Sequence, residues 1–448
     1  MIYKNQTSIG NKRHFPYSSY GKLNIALTII IACIICLDLY TSTAQFIPSQ
    51  ARRFYYALVL LLIICSCLSK RVLKLEKNKI IWCMLYIYIA ISFTFEGDIF
   101  EWDNLRWLTI ILCFLIITID YDSSRMARYL IIAFSLFQTI GIILEVINNS
   151  TWYSIYSVLT NKIYSESATH ILSAGKFYID NGYLAGFSYN PGFTACYIIN
   201  GLMMLTMSKA EFRPWIYKLM RIILFIALLL TGKRGQPLFY IISEVIVYVM
   251  LSKNKRQSSI RVAKIISAGL LAYISGFFLY ISNVIPRLNR ILFFVYGDGG
   301  NIDRISSGRG EMWIEALERF MEHPILGAGF LQHFKEYGYE THNTYIQVLY
   351  ELGIIGFILF LSALLFNFMI WVKRYRRAKR NGQLNNDKLA CCYHVALSFQ
   401  IYFIGICFVE NCLNQIEFYY MYLFVCLLAQ ESVRTEIRSM IRESLQEG

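Results

Sequence analysis

The sequence predicts an all-α, polytopic membrane bundle of about twelve helices with two long outer loops. Three observations predict it: a charge-poor composition, a series of long apolar runs, and basic residues confined between those runs. The 448 residues are 56% hydrophobic and 16% charged, with a mean hydropathy of +0.45. A soluble chain carries about a quarter charged residues, and a water-facing surface of this size cannot be built from fewer. The formal net charge of +14 would suit nucleic acid. However, Lys and Arg sit in short clusters between apolar runs, as membrane topology requires, rather than along a phosphate-tracking groove. Zinc-finger spacing, an aromatic RNA-binding signature and a basic helix are all missing, so no nucleic-acid partner is expected.

A spanning helix requires roughly 20 mostly apolar residues. Candidate spans are 23–41, 54–68, 80–95, 105–119, 127–147, 193–207, 215–230, 237–251, 265–284, 344–372, 389–409 and 418–429. The first resembles a signal peptide, because Ser42-Thr43-Ala44 looks like a cleavage site. Its apolar core exceeds the roughly 7–15 residues of such a signal, so an uncleaved helix is expected. With both termini inside, the inner segments hold 29 of the 43 Lys and Arg, the asymmetry that sets topology. The densest cluster is Lys373, Arg374, Arg376, Arg377, Lys379 and Arg380, whereas Glu96, Asp98, Glu101 and Asp103 fall outside. Eleven of the twelve cysteines lie within apolar runs and Cys412 in a loop. No CxxC pair has a matching second pair, so buried thiols are expected rather than disulfides or zinc.

The chain accordingly divides into N-terminal helices (1–147), a first outer loop (148–192), helices joined by an outer cationic turn (193–284), a second outer loop (285–343), and C-terminal helices with a cytoplasmic tail (344–448). Neither loop could bury a core of its own. Both are expected to fold over the bundle, and long ordered loops are where function concentrates.

The second loop holds Arg287, Arg290, Arg304 and Arg309. From Arg309 to Met321, the residues Trp313, Ala316, Leu317, Phe320 and Met321 recur at helical spacing, with Pro324 beyond. That pattern predicts an amphipathic helix at the outer interface. An ordinary packing helix fits it too, but leaves the outer arginines unexplained. Arginine offers planar, bidentate recognition of phosphate, which points to an anionic ligand. The turn Thr231-Gly232-Lys233-Arg234-Gly235-Gln236-Pro237 places two further cations outside, either for such a ligand or as lipid-headgroup anchors. His342 precedes a helix that Asn343 or Thr341 can cap. The positive end of the helix dipole disfavours imidazolium there, leaving a neutral ring able to take a proton; a structural histidine is the other reading. Glu351, half a turn around and about 13 Å deeper, is expected to pack with a neighbouring helix rather than orient His342.

Four segments, in order, resemble the O-antigen ligase / O-antigen polymerase superfamily of bacterial membrane glycosyltransferases. They are Gly186-Phe187-Ser188-Tyr189-Asn190-Pro191-Gly192; Lys233-Arg234-Gly235, with lysine for the family's usual serine; Ser307-Gly308-Arg309-Gly310-Glu311-Met312-Trp313 followed by Pro324 and Gly327-Ala328-Gly329; and His342-Asn343 with Glu351, Gly353 and Gly356. The resemblance implies a GT-C-like, metal-independent, cofactor-free, inverting transferase in the bacterial inner membrane, with its site on the outer face. It would move a glycan from an undecaprenyl diphosphate carrier to an acceptor hydroxyl. By motif, Arg234, Lys233, Arg309 and Arg304 would hold the diphosphate and His342, with Arg309, would act in catalysis. Asn343, Glu351 and Asn190 would support the acceptor or the structure, and a flippase and a chain-length regulator join the expected partners.

The compact His-Asn-Thr-Tyr-Ile-Gln run and the Gly-Lys-Arg-Gly turn look more like surface-polysaccharide polymerases. Ligation to lipid A-core or protein is the alternative. A transporter or flippase would bind at the midplane, often through repeated halves and intramembrane charges. The ionisable residues within spans are few, mainly Asp38, Glu145, Glu244, Glu351 and His394, and the halves show no convincing repeat. A metal-dependent reading would draw on Glu101 and Asp103. Asp120-Tyr121-Asp122 imitates a metal motif but falls on the expected inner side, beside basic residues.

Overall fold

The computed structural model describes residues 77–95, 108, 111, 121–163, 173, 176–178, 183–188, 190–252, 256, 260, 262–264, 267 and 309–446. Among these there is no strand. The helices are α1 (Lys77–Phe95), α2 (Tyr121–Ile147), α3 (Asn149–Ile163), α4 (Pro191–Met207), α5 (Pro214–Leu230), α6 (Gly235–Leu251), α7 (Arg309–Phe320), α8 (Gln332–Tyr337), α9 (Thr344–Arg380), α10 (Asp387–Ile406) and α11 (Ile416–Gln446). Short 3-10 turns cover Lys209–Glu211 and Gln383–Asn385.

α4 and α10 form the centre. Every residue of α4 is buried, and α2, α5 and α10 pack around it, while α10 also contacts α6, α9 and α11. The outer helices turn apolar residues outward at helical spacing: Met84, Ile87 and Ile91 on α1, and Leu219, Ile222, Ile226 and Leu229 on α5. Stripes of this extent would be an aggregation hazard in water; facing lipid, they are the ordinary surface of a membrane bundle. Polar side chains join helices inside. Asn367 donates to Gln400 Oε1 (3.2 Å) and to the Tyr422 hydroxyl (2.9 Å). Arg128 pairs with Glu211 at 2.7 Å and donates to Ser432 at 2.7 Å.

Among the described residues, three helices are long and apolar enough to cross a membrane, over Ser124–Ile147, Thr344–Arg380 and Asp387–Ile406, and α1, α4 and α6 supply shorter apolar helices. The figure of about twelve spans is therefore not reached among the described residues. The spans at 23–41 and 54–68 lie outside them, as does all of 105–119 except Leu108 and Ile111 and all of 265–284 except Ser267. The stretch read as loop from 148 instead begins with a helix, α3. Its buried Trp152 stacks on Tyr156 at 4.7 Å and donates its indole N–H to the Gly186 carbonyl at 2.8 Å.

α9 is not the single rod that its apolar run suggested. Gly353 (φ 63, ψ −168) interrupts it, and the chain from Pro324 to Gly329 crosses the break. Ala328 and Gly329 donate backbone N–H groups to the carbonyls of Tyr350 and Glu351 (both 2.9 Å), and Ile354 donates to the Pro324 carbonyl (2.9 Å). Gly327 also has positive φ, and a Cβ on either glycine would overlap the other segment's backbone. The two glycine motifs, far apart in sequence, are thus two sides of one crossing. It satisfies the helix's freed backbone groups, as an irregular segment in a membrane requires.

Candidate functional site

The site is assembled from four chain segments that meet beside the start of α9. The first is the turn before α4. Gly186, at φ 60, gives its N–H to Glu145 Oε2 (2.9 Å), and Phe187 gives its N–H to Gln138 Oε1 (3.1 Å). Glu145, an acid inside a span, is thereby a holder of this turn. Asn190 is the N-cap of α4, accepting from Gly192 N–H at 2.7 Å, with Pro191 at the first helical position. These choices follow capping chemistry.

The second segment is the turn between α5 and α6. Gly232 has φ 75 with the Tyr183 ring against it, and Lys233 is half-buried with its ammonium end beside Gly192. Arg234 is exposed. Gln236 is buried and donates to the Gly192 carbonyl at 2.8 Å, tying the turn to the start of α4. The third is the start of α7, where Arg309 donates to the Val409 carbonyl at 3.2 Å. α7 is amphipathic as expected, but its packed face is narrower: Ala316 is buried while Leu317 and Met321 are exposed. Trp313 donates to the Thr341 carbonyl at 2.8 Å, fixing the approach to His342.

The fourth segment is the turn from Cys407 to Gln415 between α10 and α11. It clamps the start of α9: Thr344 donates its N–H to the Cys407 carbonyl (2.8 Å) and its hydroxyl to the Glu410 carbonyl (2.6 Å), and accepts the Cys412 N–H (2.8 Å). The buried Glu410 carboxylate lies 3.9 Å from His342 Nδ1, and its other oxygen is 3.5 Å from Gln236 Nε2.

His342 has φ 52, a left-handed conformation uncommon outside glycine. Asn343, not Thr341, caps α9, accepting from the N–H groups of Tyr345 (3.1 Å) and Ile346 (3.2 Å). The His342 side chain keeps 35% of its surface, yet Nδ1 is buried and, among the described residues, has no hydrogen-bond partner. Burial first, then the positive charge of Arg309, push the imidazole down to about 4; Glu410 opposes this and Lys233 adds to it. The neutral ring anticipated from the helix dipole is present, but desolvation and Arg309 are the leading causes. Glu340, accepting from Asn411 Nδ2 (2.9 Å) and Gln415 Nε2 (2.7 Å), is pushed up by burial.

Lys233, Arg309, His342 and the Asn190 cap thus gather at one end of the bundle, with Arg234 at its exposed rim. Arg304 lies outside the described residues. Glu351 is fully buried and accepts from Gln347 (2.8 Å) in its own helix and from Asn414 (2.7 Å) in the 407–415 turn, so its partners are not on a neighbouring helix. Gln347 in turn accepts from the Thr341 hydroxyl (2.9 Å) and N–H (3.0 Å), linking Glu351 to the residue before His342. Sequence reasoning missed Glu410. The available signal was the run Glu410-Asn411 through Asn414-Gln415 closing an apolar span on the same side as His342. Among the described residues, no three His, Cys, Asp or Glu side chains come together at metal-ligand spacing.

No curated protein matches the chain. A family model described as O-antigen ligase matches residues 219–361, a stretch that includes the Lys233–Arg234 turn, α7, the glycine crossing and His342. That match supports, for this chain, the O-antigen ligase/polymerase superfamily of membrane enzymes.

Proposed function

We propose that the protein is an inner-membrane glycosyltransferase that polymerises undecaprenyl-diphosphate-linked oligosaccharide repeats into a surface polysaccharide, on the outer face and without a metal. The observation that carries this reading is His342: a neutral imidazole between the charges of Arg309, Lys233 and Glu410. A sugar diphosphate leaves readily once its charge is met, so fixed cations can do the work of a metal and a general acid. Lys233, Arg234 and Arg309 hold the diphosphate, and Arg304 joins them. The acceptor hydroxyl loses its proton to His342 Nε2 as its oxygen bonds to the anomeric carbon. The bond to the diphosphate breaks on the opposite face, which inverts the centre. Nδ1, facing Glu410, then shares the imidazolium charge with the carboxylate, in the manner of His–carboxylate pairs elsewhere. A pKa near 4 makes a weak base in the free protein. A bound diphosphate offsets Arg309 and Lys233, two of the groups that depress it, so the substrate itself raises the basicity of His342.

The match to an O-antigen ligase family favours a second reading, transfer of the finished glycan to lipid A-core or protein. Gel analysis of the surface glycan after gene deletion separates the two. Loss of long chains with single repeats still attached means polymerase; complete loss of attachment with accumulating lipid-linked polymer means ligase. A flippase and a chain-length regulator would be its functional neighbours. His342→Ala and Arg309→Ala are each expected to abolish the product at normal expression, and normal glycan in both variants would remove this site.

A further inference from the structure

A cavity of about 930 Å³ opens between α5, α6 and α10 at the far end of the α5–α6 hairpin from the Lys233 turn. It plays no part in the reaction above. Its polar lining includes Lys209, Lys218, Arg221, Glu244, Asp387 and His394, and its walls are formed by Ile222, Phe225, Ile226, Ile241 and Val245. The volume lies within the roughly 300–1,000 Å³ of small-molecule sites, which are likewise mostly apolar with a few convergent polar groups.

The charges inside are already organised. Glu244 accepts from Arg221 at 3.0 Å through one oxygen and lies 2.9 Å from His394 Nε2 through the other. Arg221 also donates to the Tyr217 hydroxyl at 2.9 Å. Those two contacts use two of a guanidinium's five N–H groups, leaving donors for an anion. Asp387 stands in the first turn of α10, where the helix dipole offsets its charge. The mouth therefore carries the cations Lys209, Lys218 and Arg221 against two acids, with Arg221 shared with Glu244 and both lysines left to meet a ligand's charge. Beyond them the walls run on to Ile222, Ile226 and Ile241, which are exposed on the outward faces of α5 and α6. A free anion would leave these walls unused, and a neutral lipid would leave the cations unused.

We propose that this cavity binds one phosphate-headed membrane lipid, its phosphate held by Lys209, Lys218 and Arg221 and a chain lying along Ile222, Ile226 and Val245. The site is independent of the glycosyl-transfer reading. The test is native mass spectrometry of the full chain released from detergent with phosphatidylglycerol or chain-matched diacylglycerol. Two variants accompany the wild type: Lys209→Ala/Lys218→Ala, which alters exposed residues only, and Ile226→Trp, which fills the cavity. Each basic residue near a lipid phosphate contributes a factor of about five, so the double variant should retain phosphatidylglycerol about tenfold or more less well. Ile226→Trp should do the same, and diacylglycerol should be retained poorly by the wild type. Equal retention of the two lipids, unchanged retention in the lysine double variant, or displacement of the lipid by inorganic phosphate alone would overturn the proposal. If Ile226→Trp does not fold, the lysine variant still decides.

Discussion

Replacing Gly353 by alanine tests whether the crossing of the 324–329 segment over the broken α9 holds the site together. Gly353 has φ 63 and ψ −168, a region entered almost only by glycine, and placing alanine there costs about 1–3 kcal/mol. The new Cβ would also stand 2.6 Å from the Gly327 amide nitrogen and closer still to the Ile325 carbonyl, backbone atoms that cannot swing aside. Relief requires the two segments to part, giving up the hydrogen bonds of Ala328, Gly329 and Ile354 at about 0.5–1.5 kcal/mol each. The sum is about 2.5–7.5 kcal/mol. Gly338 supplies the control: its φ is 71, but a Cβ there meets nothing within 4 Å, so alanine costs only the left-handed term of about 1–2 kcal/mol. Fluorescence-detected size-exclusion melts in detergent should place Gly353→Ala well below Gly338→Ala. The glycan product should be lost as well, because Glu351 precedes the crossing and reaches Thr341 through Gln347. Equal melting of the two variants would refute the crossing as a structural clamp.

Further outcomes concern charge. Since His342 titrates near 4, kcat/KM in reconstituted vesicles should stay flat from pH 7 to about 5 and fall only near pH 4, where the base becomes protonated. Glu410 raises that pKa and Arg309 lowers it, so Glu410→Gln should move the His342 titration, followed by NMR of labelled imidazole rather than by rate, to lower pH and Arg309→Gln to higher pH; a titration unmoved by both would disconnect them from the histidine. Arg128→Ala strips the buried cation from Glu211, which keeps Arg125 at 3.2 Å, so the loss is that of a hydrogen bond to a charged group, about 1.5–3 kcal/mol, readable as a lowered melting temperature with no special effect on the pH profile. Chelators should leave transfer unchanged, whereas a sensitive rate would return attention to Glu101 and Asp103.

Much of the helical framework was legible in the chain. Apolar runs gave α1, α2, α4, α5, α6 and α10 close to their observed limits. The turn cations, α7 and His342 were readable because their residue types were out of keeping with their place, positive charge and imidazole in segments that topology does not require to carry them. α3 was not legible: its first residues, Asn149-Ser150-Thr151, read as loop, and what stabilises it is Trp152 and Tyr156 packed beneath the Gly186 turn. Glu351 was legible as a buried acid but not in its partners, since Asn414 comes from a distant turn.

By itself, the sequence determined the class of molecule: so few charges and so many long apolar runs leave a chain no stable home but a bilayer, where a helix satisfies its own backbone. Only the tertiary structure decided that Glu410 stands beside His342 and that Gly327 and Gly353 share one crossing. The hydroxyl of Thr344 reaches the Glu410 carbonyl across 66 positions of chain. Local composition and periodicity carry the cost of exposing each segment to water, but not which segments meet once all of them are buried.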